Sequence, residues 1–117
     1  MWKHRGKLTA LAKAGTVAFG PVGIAATILP ETQAYDDLVE AGRADPAGLV
    51  PRLEKLVREA SPAGKIYAAE ALGRIDPAAG RRAWEHLAAD SGAFMTLNGC
   101  IGGRSTLAEY AAGRLAG

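Results

Sequence analysis

Hydrophobic positions along this chain fall mostly at helical spacing. Between Leu49 and Ala60 the apolar residues are Leu49, Leu53, Leu56, Val57 and Ala60, set against Arg52, Glu54, Lys55, Arg58 and Glu59. That is one apolar stripe at helical period. From Ala63 to Ile75 two faces are apolar: Ala68, Ala71, Leu72 and Ile75 make one, and the smaller set Ile66, Ala69 and Gly73 makes the other. A helix apolar on two sides is expected in the middle layer of a stack. Ala83, Trp84, Leu87 and Ala88 form the stripe of a helix over Ala78–Ala89, and shorter helices are predicted over Gln33–Ala41 and Thr106–Leu115. Phe94–Gly103 departs from this period. Three readings stay open for it: a cap, a short β element, or a segment completed by a partner.

The helices are punctuated by a repeat. Gly42-Arg43-Ala44-Asp45-Pro46-Ala47 recurs as Gly73-Arg74-Ile75-Asp76-Pro77-Ala78, 31 residues later. The same offset pairs Leu53 with Trp84, Glu54 with Glu85 and Leu56 with Leu87. Each part of the string has a mechanical use. A glycine just past a helix end accepts the left-handed backbone that closes it, and an arginine beside it complements the negative end of the helix dipole. Aspartate accepts a bond from an orphan N–H at the next helix start, and proline at the first helical position sacrifices no hydrogen bond. Ser61-Pro62-Ala63 is a further start signal, and Thr106 with Glu109 fits a capping box. A weaker third copy is expected at Gly103-Arg104-Ser105-Thr106, at a spacing of 30. Pro51 either marks the true first turn of its helix or kinks it.

The stretch Ala68-Ala69-Glu70-Ala71-Leu72-Gly73-Arg74-Ile75-Asp76-Pro77-Ala78-Ala79, followed by Leu87 and Asp90, resembles the HEAT-type α-helical repeat in its short-period bacterial form. The resemblance covers about residues 35–90. It implies an all-α fold, a short array of about two and a half repeats, and a role in protein–protein scaffolding. Phycobilin lyase subunits carry this form too, but no pigment-binding residues match here. Such arrays usually need about three units to bury a continuous core, so the array is short for its class.

Charge separates an N-terminal part. Residues 1–34 carry Lys3, Arg5, Lys7 and Lys13 against Glu31, whereas from Tyr35 onward ten basic side chains meet eleven acidic ones. The overall charge of +2 therefore belongs to the N-terminal segment, and a nucleic-acid-binding face on the remainder gets no support. Ala14–Leu29 contains sixteen residues without a charge, followed by Pro30 and then Thr32-Gln33-Ala34. Basic, apolar and small-residue regions in that order are the parts of a secretory signal peptide, with a cut expected after Ala34. The apolar run falls short of the ~20 residues a membrane span needs. Pro21 and Gly15, Gly20 and Gly23 also interrupt it. A membrane anchor over residues 8–29 requires Lys13 to snorkel, and a helix packed on the repeats is the remaining reading. The expected division is 1–34 as signal peptide or membrane anchor, in the form of a hydrophobic leader helix, and 35–117 as a HEAT-like repeat domain. The expected address is exported, periplasmic or extracellular, with a membrane-anchored form as the alternative.

Candidate chemistry is sparse. Cys100 lies between glycines, and a single cysteine excludes an internal disulfide; a small buried residue is the expected reading. A nucleophilic thiol wants a histidine, and His86 sits on the flank of its helix, where a solvated side chain is expected. Asp36 and Asp37 are adjacent and diverge by about 100° on a helix; their expected place is a helix N-terminus. No metal-ligand spacing and no phosphate loop occur, so neither metal nor cofactor is expected. Arg81 and Arg82 occupy a first turn where acids are preferred, which leaves two readings, solvated charges or a contact for an acidic partner. Tyr67 and Trp84 are large enough to anchor an interface or to fill the core. The expected function is a small exported, non-enzymatic protein-binding or scaffold module of a bacterial envelope, with Tyr67, Arg81, Arg82 and Trp84 as candidate partner contacts. A membrane-anchored subunit and a toxin-neutralising immunity protein are the alternatives.

Overall fold

Helix α2 (Pro30–Ala44) and helix α3 (Pro46–Glu59) meet at Asp45, and helix α4 (Pro62–Ile75) and helix α5 (Pro77–Leu87) meet at Asp76. The two copies of the repeated string thus build two equivalent corners. In the computed structural model, which describes residues 4–18, 30–98 and 101–116, the capping chemistry is in place at each. Asp45 Oδ1 accepts from the Gly48 amide at 3.1 Å, and Asp76 Oδ1 accepts from the Ala78 and Ala79 amides at 3.1 and 3.3 Å. Ser61 Oγ does the same for Gly64 at the start of α4, at 3.2 Å. The helix α6 (Leu107–Ala116) starts on Thr106, whose hydroxyl accepts from Glu109 N at 3.2 Å. Pro51 lies inside α3, past its first turn.

The repeat glycines do something other than expected. Gly42 and Gly73 lie within the last turns of α2 and α4, not beyond them, so they do not serve as left-handed caps. Gly42 allows close packing, whereas a Cβ on Gly73 would meet nothing within 4 Å; the second tight position is Gly80, outside the repeated string. A Cβ on Gly42 would stand 2.7 Å from Ile75 Cγ1, and one on Gly80 would stand 2.7 Å from the Gly73 backbone nitrogen. Backbone lies on backbone where α5 crosses α4. Gly80→Ala is therefore expected to destabilise by about 1–3 kcal/mol, the usual range for overpacking. Gly42→Ala meets a flexible isoleucine tip and should cost less; thermal melts of the two variants make the comparison.

Helix α4 is the middle layer, as its two apolar faces predict. Ala63, Gly64, Ile66, Tyr67, Ala68, Ala69, Ala71 and Leu72 are all buried, and α2, α3, α5 and the N-terminal helix α1 (Arg5–Ala12) pack against it. The fold is mostly helical, but the all-α expectation needs correction. Residues 94–98 and 101–103 belong to a β element: strands β2 (Ala93–Asn98) and β3 (Ile101–Thr106) pair antiparallel, with Asn98 opposite Ile101. The expected third repeat copy falls on β3, and only its Thr106 start signal acts as foreseen. A two-residue strand, β1 (Thr16–Val17), adds to β2 in parallel, giving the order β1-β2-β3. Phe94 is buried and Met95 is 48% exposed, so β2 turns one face to the helices and the other to solvent.

The N-terminal residues are packed into this body. Leu11, Ala14, Val17 and Ala18 belong to the core. Much of the grip is on backbone: Ser61 N donates to Ala12 O at 2.9 Å and Ser61 Oγ to Ala14 O at 2.6 Å. The Tyr67 hydroxyl accepts from Ala18 N at 2.8 Å and donates to Ala18 O at 2.7 Å, and Thr32 Oγ1 also donates to Ala18 O. Helix α2 runs without a break through Ala34, the expected cleavage position, with Thr32 and Ala34 buried. The helix found in the leader, α1, precedes the uncharged stretch instead of occupying it; residues 19–29 of that stretch lie outside the described residues. No helix among the described residues is long and apolar enough to cross a membrane.

Candidate functional site

The four candidate contact residues separate into two classes. Tyr67 is 0% exposed. Burial pushes its pKa above the usual phenol value, against the hydrogen bonds from Thr32 and the Ala18 backbone, so it stays protonated and holds the N-terminal segment. Trp84 is 6% exposed. Tyr110 lies against its ring at 5.7 Å between centroids, and the Arg114 guanidinium covers it at 5.8 Å. Both aromatics are thus taken up by the chain's own packing and present almost no surface to a partner. Arg81 and Arg82 are exposed on α5, and Arg82 Nη2 stands 3.9 Å from Glu54 Oε2 on α3.

That ion pair spans a groove. Helices α3 and α5, the second helices of the two repeat copies, run side by side and leave an open space of about 250 Å³ between them. Val57 from α3, Leu72 from α4 below, and Ala79 and Ala83 from α5 form its buried floor. Arg58, Arg82 and His86 stand exposed on its rim with Glu54. Two permanent cations and a histidine against one carboxylate make the rim net positive. Arg58 and His86 escaped notice as members of this site. Their signal was the four-residue spacing that places Glu54 with Arg58, and Arg82 with His86, on one helix face each.

A second groove flanks α3 on its other side. Leu8 and Ala12 of α1 and Leu56 of α3 line it, with Arg5, Arg52 and Lys55 at its edges, around about 300 Å³. Helix α3 therefore stands between two grooves with aliphatic walls, and its Arg52, Lys55 and Arg58 outnumber its Glu54 and Glu59 by one charge.

The remaining polar features are structural ties. Arg114 makes a two-pronged bond to Glu70, Nε to Oε1 at 2.7 Å and Nη2 to Oε2 at 3.0 Å, which fastens α6 to α4. Burial raises the Glu70 pKa, with the Arg114 and Arg74 charges opposing. Asp90 is held below the usual carboxylate range by the Gly92 amide and by Lys65, whose Nζ lies 2.9 Å away. Asp36 and Asp37 sit in the second turn of α2, past the N-terminal turn where they were expected; Asp37 pairs with Gln33 at 3.0 Å and Lys7 at 3.7 Å. Among the described residues no group of three or more His, Cys, Asp or Glu side chains could hold a metal ion. Cys100 lies outside the described residues. No protein-family model, curated protein or solved structure matches the chain.

Proposed function

We propose that the chain is a non-enzymatic protein-binding module built on a short HEAT-type helical array, and that its working face is the one formed by α3 and α5. The observation that carries this reading is the groove between those two helices. The repeat places equivalent helices side by side, and the open space between them lies over the buried residues Val57, Leu72, Ala79 and Ala83, with Arg58, Arg82 and His86 exposed at its rim. Tyr67 and Trp84, the strongest anchors by size, are spent on the core, so the reading rests on Arg82, Arg58 and His86; Arg81 is exposed on α5 but does not line the groove. The order of charge, apolar run and small residues in 1–34 supports an address at the cell envelope. The packing of residues 4–18 supports their retention on the working chain.

Purification of the tagged full chain from its native host, beside an Arg82→Glu/His86→Glu variant, tests this. Both positions are exposed, so the variant is expected to fold. A protein recovered in stoichiometric amount with the parent and depleted at least about tenfold with the variant, a difference of about 1.4 kcal/mol, is the expected result. Equal recovery by both forms, or recovery by neither, contradicts the assignment.

A further inference from the structure

We infer that the partner's contact element is an acidic amphipathic helix laid across α3, with one aliphatic side chain in each flanking groove; this rests on the binding role proposed above and specifies its chemistry. Charge complementarity carries the inference. The crest of α3 between the grooves bears Arg52, Lys55 and Arg58, all exposed, against one exposed carboxylate, Glu59, in its last turn. The outer edges add Arg5 on one side and Arg82 on the other. Glu54 is the one carboxylate lining either groove, and Arg82 already faces it at 3.9 Å. The basic groups outnumber Glu54 and Glu59, so a partner element of negative charge is attracted at several points of the ridge.

Geometry sets the form of the ligand. A helix with its side chains is about 10–12 Å across, so grooves on its two sides are separated by about that distance. Residues i and i+7 of a partner helix stand about 10.5 Å apart on one face, at 1.5 Å per residue. Leucine or valine at those two positions reaches both grooves. Glutamate or aspartate at i+3 and i+4 then lies over Lys55 and Arg58. Arginine favours such contacts because its planar fork meets a carboxylate through two hydrogen bonds. Spaces of about 250 and 300 Å³ admit single aliphatic side chains and are too small for a folded surface to enter.

The test uses the purified full chain and a synthetic helical peptide of about 18 residues, roughly 27 Å long at 1.5 Å per residue, with leucine at i and i+7 and acids at the positions facing α3. Three control probes accompany it: the same peptide with lysine for every acid, the same peptide with both leucines replaced by alanine, and phosphatidylglycerol vesicles. The acidic peptide is expected to bind at least about tenfold tighter than either control peptide, and to lose most of that advantage at 0.5 M salt, where exposed charges are screened. Lys55→Glu/Arg58→Glu should abolish the preference while the circular dichroism spectrum stays unchanged. If the acidic peptide binds no tighter than the basic one, the acidic chemistry is overturned; should the native-host partner still depend on Arg82 and His86, the binding role itself survives. Loss of both results removes both claims. Vesicle binding that the acidic peptide does not displace assigns the ridge to a lipid surface and overturns the protein ligand.

Discussion

A chain that begins at Tyr35 is expected to lose most of its cooperative thermal transition. The cut removes α1, β1 and the first turn of α2 together. Leu11 and Val17, which are 0% and 4% exposed, each contribute about 1.5–3 kcal/mol by leaving water. Their loss also bares what they covered on α4. The Tyr67 hydroxyl forfeits its bonds to Ala18 and Thr32, and an unsatisfied buried polar group costs about 1–3 kcal/mol. The edge of β2 loses the strand that pairs with it at Thr16–Met95 and Val17–Thr96, which opens a template for aggregation. Together these losses reach the total stability of a small domain, about 5–15 kcal/mol. Melts of residues 1–117 and 35–117 followed by circular dichroism measure the difference. A truncated chain melting within about 5 °C of the parent, a shift worth about 1 kcal/mol, would show that residues 4–18 are dispensable. It would also favour removal of residues 1–34 as a signal peptide.

The second large effect is expected at Tyr67. Tyr67→Phe keeps the ring and removes only the hydroxyl, which strands the Ala18 amide in a buried site; a loss of about 1–3 kcal/mol follows. Tyr67→Ala also empties the volume that the ring fills beside Tyr35, whose ring centroid lies 5.8 Å away. Aromatic-to-alanine changes in cores cost about 3–5 kcal/mol. Chemical denaturation should rank the variants in that order. Because Tyr67 has no exposed surface, the folded fraction of Tyr67→Phe should bind the α3–α5 partner as the parent does. A binding loss without a stability loss would return Tyr67 to the list of contact residues.

How far the sequence could be read depended on the range of the interactions involved. Asp45, Ser61, Asp76 and Thr106 act within one helical turn, so their capping roles were legible from neighbouring residues alone. The two-sided pattern of α4 likewise predicted its central place. The glycines were misassigned because a glycine near a helix end looks the same whether it caps or packs. The position of Ile75 against Gly42 shows that Gly42 packs, while Gly73 neither caps nor leaves a Cβ crowded, and the close approach there belongs to Gly80. Strand β3 carries Gly102 and Gly103 and shows no alternation, and β1 pairs with a segment far away in the chain; neither leaves a local signal. The leader pattern was read from charge and apolarity within residues 1–34, yet what holds residues 11–18 is Ser61 and Tyr67 on α4. The groove between α3 and α5 is the same kind of case. Its four-residue charge pairs are visible on α3 and on α5, but nothing short of the fold sets one beside the other.

The claim at the centre of this account is that function resides on the α3–α5 face. A photo-reactive amino acid placed at His86 in the full chain, and separately at Glu40 on α2, tests it in the native host. Both positions are exposed and they belong to different helices. One discrete protein adduct is expected from the His86 position and none of comparable yield from Glu40. An adduct formed equally from both, or from Glu40 alone, would contradict the claim.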